Sequence, residues 1–327
     1  MYTETAVEKH FLVQTQKTMK KIYHACYTSH GEVMFRSWED YNHGFNSLCS
    51  ALAKNESSLF ADSFMSDHVH EILSTDRISS VIHDQRISHT KYMNEKYGRK
   101  GPWGEPGFFA QEIEGLRHFL AAVVYVICNA VHHGIVKTPY AYPFSSVNCY
   151  FRKDLGKEYV PELLLSERQM NERLPRRAAF LPEWKMGKEG VFLRESVIEA
   201  RLVEAHFVSP QAFLYLMSRK SGEEWEEEQK LDGNGRPPVT LEEIESAYLT
   251  EASAEKVSEM LKNQRGHFSV PRKTDLELCG LIDGKYVPQY SKNSVYALSR
   301  IEKETIANAL AAEYRCGASQ LRRCLVL

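Results

Sequence analysis

The order in which strand-like and helix-like patterns follow one another over residues 1–135 is the feature that most constrains the fold. Strands place apolar side chains at every second position, whereas helices place them at every third and fourth position. The chain shows strand, helix, strand, strand, helix, strand and helix. This order predicts the α+β class, with a ferredoxin-like antiparallel sheet that carries helices on one face.

Turn and capping residues set the predicted bounds of these elements. A hairpin comes first, from Lys21–Tyr27 and Glu32–Phe35. The first helix is predicted to start at Ser37, with Asp40 three residues on. The second is predicted to run from Asp76 to Gly98, and the third from Gly115 to about His133. The remaining strands are predicted over Ser58–Met65, His68–Leu73 and Phe108–Ile113.

Beyond Tyr150 the pattern changes to helical segments separated by proline- and glycine-rich breaks, and residues 231–238 are the best linker candidate. We therefore predict a first domain over residues 1–150 and a mostly helical accessory region over 151–327. Near the end, Ser299 and Glu302 form a capping box, and Gly317 separates that helix from a short basic one. Residues 297–327 thus outline a helix-turn-helix DNA reader.

Composition narrows the class of protein further. No run approaches the roughly 18 to 20 apolar residues of a membrane helix, and the N-terminus lacks a secretion signal, so we expect a cytoplasmic protein without a membrane partner. The seven cysteines are odd in number, scattered and never spaced C-x-x-C, which predicts reduced thiols. A formal net charge of -2 neither supports nor excludes a nucleic-acid partner.

Two histidines, His68 and His70, lie two positions apart on a predicted strand. Side chains with that spacing project from the same face, so both imidazoles can reach one metal ion. Taken alone, the tripeptide is better explained by two histidines on an exposed sheet face.

The helix predicted from Gly115 carries the other candidate residues. At about 100° per residue, six apolar side chains cluster within roughly 120° and are predicted to face the core. These are Leu116, Phe119, Leu120, Val123, Ile127 and Val131. Tyr125 and Asn129 fall on the opposite side, with His118 and Ala122, on a face that is predicted not to be core.

Together, these residues fit one chemistry. Two imidazoles and an amide oxygen can hold a divalent cation while a phenol one helical turn away attacks a phosphate. A tyrosine hydroxyl has a pKa of about 10 and is a poor nucleophile at neutral pH, so such chemistry requires an adjacent metal. Manganese and magnesium both stay open as the ion.

Three segments resemble the single-tyrosine HUH transposases of the insertion-sequence-200-like and REP-associated group. FMSDHVHEIL at 64–73 resembles the family's strand-turn-strand motif, and YVICNAVHHGIVKTPYAYPFSS at 125–146 resembles its tyrosine helix and the element after it. KYGRKGPWGEPGFFAQEIEG at 96–115 resembles the basic helix end and loop that lead to the last strand. The likeness covers about residues 20–150.

The resemblance implies that His68 and His70 are metal ligands, that Asn129 is the third ligand and that Tyr125 is the nucleophile. It also implies the HUH endonuclease fold, a single-stranded or hairpin DNA substrate and a 5′-phosphotyrosine intermediate. Rejoining from that intermediate needs no nucleotide cofactor. Whether Tyr125 serves its own metal site or that of a partner in a homodimer is left open.

Several positions depart from the family pattern: Ser66 and Asp67 replace Pro-Asn, Glu71 replaces an apolar residue and Ala130 replaces a proline. None removes a catalytic group, and strand alternation should turn Glu71 away from the histidines. Two alternatives to an active transposase remain: a domesticated, catalytically silent DNA-binding descendant, and a metal-binding or structural protein unrelated to DNA.

Two groups of polar residues are candidate DNA contacts. One lies at the basic end of the second predicted helix and comprises Lys91, Lys96, Arg99 and Lys100. The other lies on the last helix and comprises Gln320, Arg322 and Arg323.

Overall fold

The computed structural model describes residues 20–218 and 273–327, apart from residues 30, 105, 134, 137, 157–163, 177, 208 and 315. The linker predicted at 231–238 lies outside the described residues. The N-terminal elements are β1 (Lys21–Thr28), α1 (Trp38–Lys54), β2 (Ser58–Phe64), β3 (His68–Thr75), α2 (Ile78–Tyr97), β4 (Phe109–Glu112) and α3 (Gly115–His132). The helices that follow are α4 (Glu167–Arg173), α5 (Arg194–Val197), α6 (Ala200–Phe207), α7 (Pro210–Ser218), α8 (Asp275–Leu281), α9 (Arg300–Glu313) and α10 (Ala318–Leu325).

The four strands form one antiparallel sheet in the order β4-β1-β3-β2. This is the strand order of a ferredoxin-like sheet, and it is followed by a mostly helical C-terminal region, so the predicted α+β class is confirmed. β1 pairs along its whole length with β3, from Lys21 opposite Thr75 to Thr28 opposite His68. One of the two central strands, β3, therefore carries both predicted histidines.

The helices occupy both faces of this sheet, and the expectation of one covered face is corrected. His70 and Glu71 are neighbours on β3 and point to opposite sides. On one side, Glu71 accepts a hydrogen bond of 2.5 Å from Gln85 of α2. On the other side, His68 contacts Asn129 of α3 at 3.1 Å. The expectation that Glu71 points away from the histidines is confirmed.

The predicted N-terminal hairpin is wrong. Residues Glu32–Phe35 form no strand, because both edges of β1 are already paired, with β3 and with β4. The segment instead bridges two other parts of the chain. Val33 donates its backbone N–H to the carbonyl of Arg323, and Met34 donates to the carbonyl of Ser66 at 2.6 Å.

Helix ends confirm most of the predicted capping. Ser37 and Asp40 form a capping box at the start of α1, and Gly98 ends α2 in the left-handed conformation at φ 64°. Asp76 does not cap α2: Arg77 holds the N-cap position without a side-chain cap bond. Ser299 and Glu302 form the predicted capping box of α9.

The element Tyr142–Ser146 covers the outer edge of β2. Phe64 donates its backbone N–H to the carbonyl of Phe144 at 2.9 Å, and Asp62 donates to the hydroxyl of Ser146 at 3.0 Å. Tyr142 donates its hydroxyl to the carbonyl of Phe64 at 2.5 Å. Backbone groups that would otherwise be open to another strand are thus satisfied within the chain.

Apolar side chains form two clusters. The first extends from Ile22 to Phe213, so that packing is continuous across residue 150, and the predicted domain boundary there stays a prediction. The second gathers α8, α9 and α10 around Leu278, Ile306 and Leu321, and Val33 packs into it. We call residues 273–327 the C-terminal unit.

Two sequence expectations concern bonding and the membrane. All seven cysteines are free thiols in the structure, as predicted. In the part of the chain that is described, α3 is long and apolar enough to cross a membrane by length and composition, but most of it is buried inside the protein. That is the character of a core helix.

Candidate metal and nucleophile site

The two candidate histidines lie side by side in the middle of the sheet. His68 pairs with Thr28 and His70 with Cys26 of β1, so that both imidazoles stand on the face covered by α3. Their ring centroids are 5.1 Å apart and the rings are nearly perpendicular. The two predicted histidines therefore lie on the same face of the sheet and close to each other.

Helix α3 brings the amide and the phenol to the same place. The Oδ1 atom of Asn129 lies 3.1 Å from Nε2 of His68. The ring of Tyr125, one helical turn earlier, lies with its centroid 5.3 Å from that of His70. All four residues that sequence reasoning selected for the chemistry are thus in one cluster.

Each histidine is oriented through its Nδ1 atom by a different neighbour. For His68 the neighbour is the Asp67 carboxylate, whose Oδ1 lies 2.8 Å away. For His70 it is His24 on β1, whose Nε2 lies 3.0 Å away. Such partners fix the ring orientation and leave Nε2 to face a metal. The sequence reasoning missed His24.

The pKa values favour neutral imidazoles at His70 and His24 and an ionised carboxylate at Asp67. Burial lowers the pKa of His70 well below its usual value, and the neighbouring His68 and His24 lower it further. Burial, with His118, lowers the pKa of His24 to about 4. Burial alone would raise the pKa of Asp67, but its hydrogen bond and electrostatic interaction with His68, and then with Arg323, outweigh burial and lower the pKa to about 2. A neutral imidazole is the form that binds a metal.

The donor atoms fit a divalent cation. Because an ionised carboxylate only accepts hydrogen bonds, Nδ1 of His68 carries the proton, and in the neutral ring Nε2 holds the lone pair. In that tautomer the lone pair faces a second acceptor, Oδ1 of Asn129, while the buried Nδ2 of the same amide has no hydrogen-bond partner among the described residues. Two acceptors that face each other, next to the second imidazole, form a set that a cation satisfies.

The third candidate metal ligand is an amide oxygen, that of Asn129, and not a carboxylate, a thiolate or another imidazole. Within residues 20–218 and 273–327, less their short gaps, no group of three or more His, Cys, Asp or Glu side chains is arranged to hold a metal ion. The Cys26 thiol lies 3.8 Å from Nε2 of His70. The candidate ligands therefore remain His68, His70 and Asn129.

The face of α3 that carries these residues is buried, which corrects the helical-wheel expectation. Tyr125 is 9% exposed and Asn129 is fully buried. Tyr125 packs against His24 and His132, with ring centroids 5.7 Å and 5.8 Å away. The opposite side of α3 is covered too, since Phe119 packs against His206 of α6. A helix between a sheet and a further layer has two core faces.

Two of the four basic candidates at the end of α2 and just after it form ion pairs within the protein. Lys96 pairs with Asp40 at 2.7 Å and with Glu39 at 2.9 Å, and Arg99 pairs with Glu32 at 2.5 Å. The other two candidate DNA contacts of this group, Lys91 and Lys100, are exposed.

Among the candidate DNA contacts of the last helix, two are likewise bonded within the protein and one is exposed. Gln320 is 7% exposed and donates to Asp275, and Arg323 also pairs with Asp275, at 2.5 Å. Arg322 is exposed. In this conformation Gln320 is a buried structural residue, and Arg323 faces the site instead of solvent alone, since its Nε lies 3.9 Å from Asp67.

Fold and site together define an α+β protein with a two-histidine, one-amide candidate metal site beside a buried tyrosine. No protein-family model matches the chain, and no curated protein matches it. Among solved structures, it is similar to a REP-associated tyrosine transposase bound to a REP hairpin, at 21% sequence identity. That similarity covers 43% of this chain and 83% of the other, with a TM-score of 0.35.

Proposed function

We propose that this protein is a DNA transposase that cuts and rejoins single-stranded DNA through a tyrosine–phosphate link. The observation that carries the proposal is the meeting of a phenol with two imidazoles and an amide oxygen. The sequence motifs that resemble single-tyrosine HUH transposases also support the proposal, because they contain the same four residues. The substrate class, single-stranded DNA next to a hairpin, comes from that resemblance.

Tyr125 would be the nucleophile. Its oxygen forms a bond to the scissile phosphorus as the phenol gives up its proton, and the bond from phosphorus to the 3′ oxygen breaks. The leaving 3′ oxygen takes up a proton and becomes a free 3′-OH, while the 5′ phosphate stays on Tyr125. A 3′-OH from another strand then attacks the same phosphorus and releases the tyrosine. Each step exchanges one phosphodiester for another, so no nucleotide cofactor is required.

His68, His70 and Asn129 would hold a divalent cation, Mn²⁺ or Mg²⁺, which supplies charge stabilisation at the phosphate oxygens. The nitrogen-rich donor set suits Mn²⁺ better than Mg²⁺, which prefers oxygen ligands. Asp67 and His24 would fix the two imidazoles through Nδ1, and the strands of the sheet would keep the spacing between them.

A second function is favoured by one specific observation, the burial of the nucleophile. Tyr125 is 9% exposed, so little of its surface is open to a phosphate in this conformation. A descendant that binds DNA without cutting it would tolerate this closure permanently. The two functions differ in whether a covalent adduct forms.

The test is adduct formation with labelled single-stranded hairpin DNA from the flanks of the protein's own locus. Wild type, Tyr125→Phe and Tyr215→Phe would be incubated with Mn²⁺, Mg²⁺ or a chelator and run on a denaturing gel. Tyr215 is the matched control because it is an exposed tyrosine on α7. We expect a metal-dependent adduct that Tyr125→Phe abolishes and Tyr215→Phe retains. Binding without an adduct in both metals would leave the silent DNA-binding protein as the better account.

A further inference from the structure

The turn between β2 and β3, which precedes the candidate metal ligands, is held by the C-terminal unit. Ser66 of this turn is buried and donates its hydroxyl to Oδ2 of Asp275 at 2.7 Å, although 209 residues separate them in sequence. The carbonyl of Ser66 accepts hydrogen bonds from Met34 and Phe35. The turn is thus fixed from two directions outside the sheet.

Asp275 connects the turn to the last helix. It is 7% exposed and lies in the first turn of α8. Besides Ser66, its carboxylate accepts from Gln320 at 2.9 Å and from Arg323 at 2.5 Å and 3.0 Å. A buried carboxylate with this many donors and an arginine partner is well satisfied, so its position is well determined.

Arg323 faces two carboxylates. While its guanidinium pairs with Asp275, its Nε atom also lies 3.9 Å from Oδ2 of Asp67. The other oxygen of Asp67, Oδ1, is the atom that lies 2.8 Å from Nδ1 of His68. The Asp67 carboxylate therefore has one oxygen on the imidazole and the other turned towards the arginine.

We infer that Arg323 is a positioning residue for His68, acting through Asp67, and that the C-terminal unit is therefore a structural part of the metal site. The inference rests on the proposed function for its use of a metal. With the arginine in place, the Asp67 carboxylate keeps one orientation, and His68 keeps its proton on Nδ1 and its lone pair on Nε2. The last helix, predicted to read DNA, thus serves the site through this arginine.

The test compares Arg323→Met combined with Asp275→Asn, which removes the buried ion pair without leaving a lone charge, with Arg323→Lys, which keeps a charge near Asp67. Arg300→Met is the control, because Arg300 is an exposed arginine of the same unit and pairs with Glu304. Full-length proteins would be checked for unchanged folding by circular dichroism and thermal melting. Two readouts follow: Mn²⁺ affinity, and the ¹⁵N shifts of the His68 ring in metal-free protein.

We expect the double variant to bind Mn²⁺ about tenfold more weakly, as is usual when a partner behind a metal ligand is lost. Its His68 should change from a ring protonated at Nδ1 to a mixture of tautomers, Arg323→Lys should restore part of both signals, and Arg300→Met should change neither. Folded variants with unchanged affinity and an unchanged Nδ1 proton would overturn the inference.

A failure of the proposed function would look different. If wild type binds Mn²⁺ through His68 but forms no DNA adduct, the transposase proposal fails and the positioning role stands. If wild type binds no Mn²⁺, the ring shifts in the metal-free protein still decide the role of Arg323. If Arg323→Lys and Arg322→Met weaken DNA binding alike with the His68 shifts intact, Arg323 is a DNA contact and the inference is wrong.

Discussion

The Oδ1 atom of Asn129 lies 3.1 Å from Nε2 of His68, and the two atoms face each other as acceptors when the neutral ring carries its proton on Nδ1. Rotating the amide would let Nδ2 donate to the same nitrogen, which satisfies both groups without a cation. A cation bound near both atoms uses them as ligands instead. The two arrangements predict opposite effects of removing the amide.

We expect Asn129→Ala to weaken Mn²⁺ binding by about tenfold or more, because one of three ligands is lost, a change of about 1.4 kcal/mol in binding free energy. Asn129→Asp should bind Mn²⁺ at least as tightly as wild type, since a carboxylate oxygen takes the place of the amide oxygen. Isothermal titration with Mn²⁺ measures both. An amide that only donates to His68 would leave the affinity of Asn129→Ala unchanged.

The loop after α2 gives a prediction on stability near the site. Gly104 has φ +75°, and a Cβ added there would lie 2.6 Å from the carbonyl oxygen of Thr28, the strand partner of His68. Gly101 has φ +98° but has nothing within 4 Å of such a Cβ. Both alanine variants carry the strain of a positive φ, and Gly104→Ala adds a backbone clash.

We expect Gly101→Ala to cost about 1 kcal/mol of unfolding free energy and Gly104→Ala to cost about 2 to 3 kcal/mol. Urea denaturation of both variants measures the difference, which isolates the clash from the strain. Equal losses in the two variants would mean that the loop can move away from Thr28.

The sequence predicted the elements of the sheet well but not the layers around it. Strand and helix bounds from Lys21 to His132 follow from local alternation and capping, which a sequence displays directly. The two covered faces of α3 do not, because a helical wheel separates apolar from polar sides and α3 buries Tyr125 and Asn129 as well as its apolar stripe. The strand at Glu32–Phe35 was wrongly predicted because this segment forms its hydrogen bonds with Ser66 and Arg323, which lie far along the chain.

The site was predictable where spacing alone defines it. Two histidines at a spacing of two, and a tyrosine and an asparagine at a spacing of four, each specify a shared face. His24 was missed because its place beside His70 depends on the register between β1 and β3, which no local pattern encodes. The internal role of Gln320 was missed for a similar reason: its partner, Asp275, lies 45 residues earlier.

Docking of the C-terminal unit depends on Arg36, whose side chain is fully buried. It donates to both oxygens of Asp283, at 2.8 Å and 2.9 Å, and to the carbonyl of Cys324 at 2.8 Å. We expect Arg36→Met to lower the unfolding free energy by about 3 kcal/mol, because the buried carbonyl and the carboxylate lose their donors.

Hydrogen exchange would locate this effect. Amides of α8 and α10 should exchange faster in Arg36→Met, while those of β1 and β3 should change less. Lys285→Met is the control, since Lys285 pairs with Glu313 in the same unit but is half exposed, and it should leave exchange unaltered. Uniformly faster exchange in β1 and β3 as well would show that the unit and the sheet open together.

Asp40 predicts how stability depends on pH. Its carboxylate is fully buried and accepts hydrogen bonds from a group of backbone and side-chain donors: Arg36, Ser37, Tyr92, Lys96 and Tyr97. Burial alone would raise the pKa of this carboxyl, but the hydrogen bond and charge of Lys96, and then Tyr97, outweigh it and lower the pKa. The group is therefore more acidic in the folded protein than in the unfolded chain.

A carboxyl with a lowered folded pKa stabilises the protein above its unfolded pKa of about 3.9, and this stabilisation is lost as pH falls through the folded value. We expect Asp40→Asn to cost about 3 kcal/mol at pH 7, because Lys96 loses its buried partner. The difference from wild type should shrink below about pH 4, where wild type also begins to lose the charge in its unfolded state. Glu39→Gln, at the exposed partner of the same lysine, should change little at either pH. Urea denaturation between pH 7 and pH 3 measures how the difference in unfolding free energy between wild type and Asp40→Asn depends on pH. If that difference stays constant down to pH 3, the ionisation of Asp40 contributes nothing to stability. The hydrogen bonds of Asp40 would then account for the whole loss.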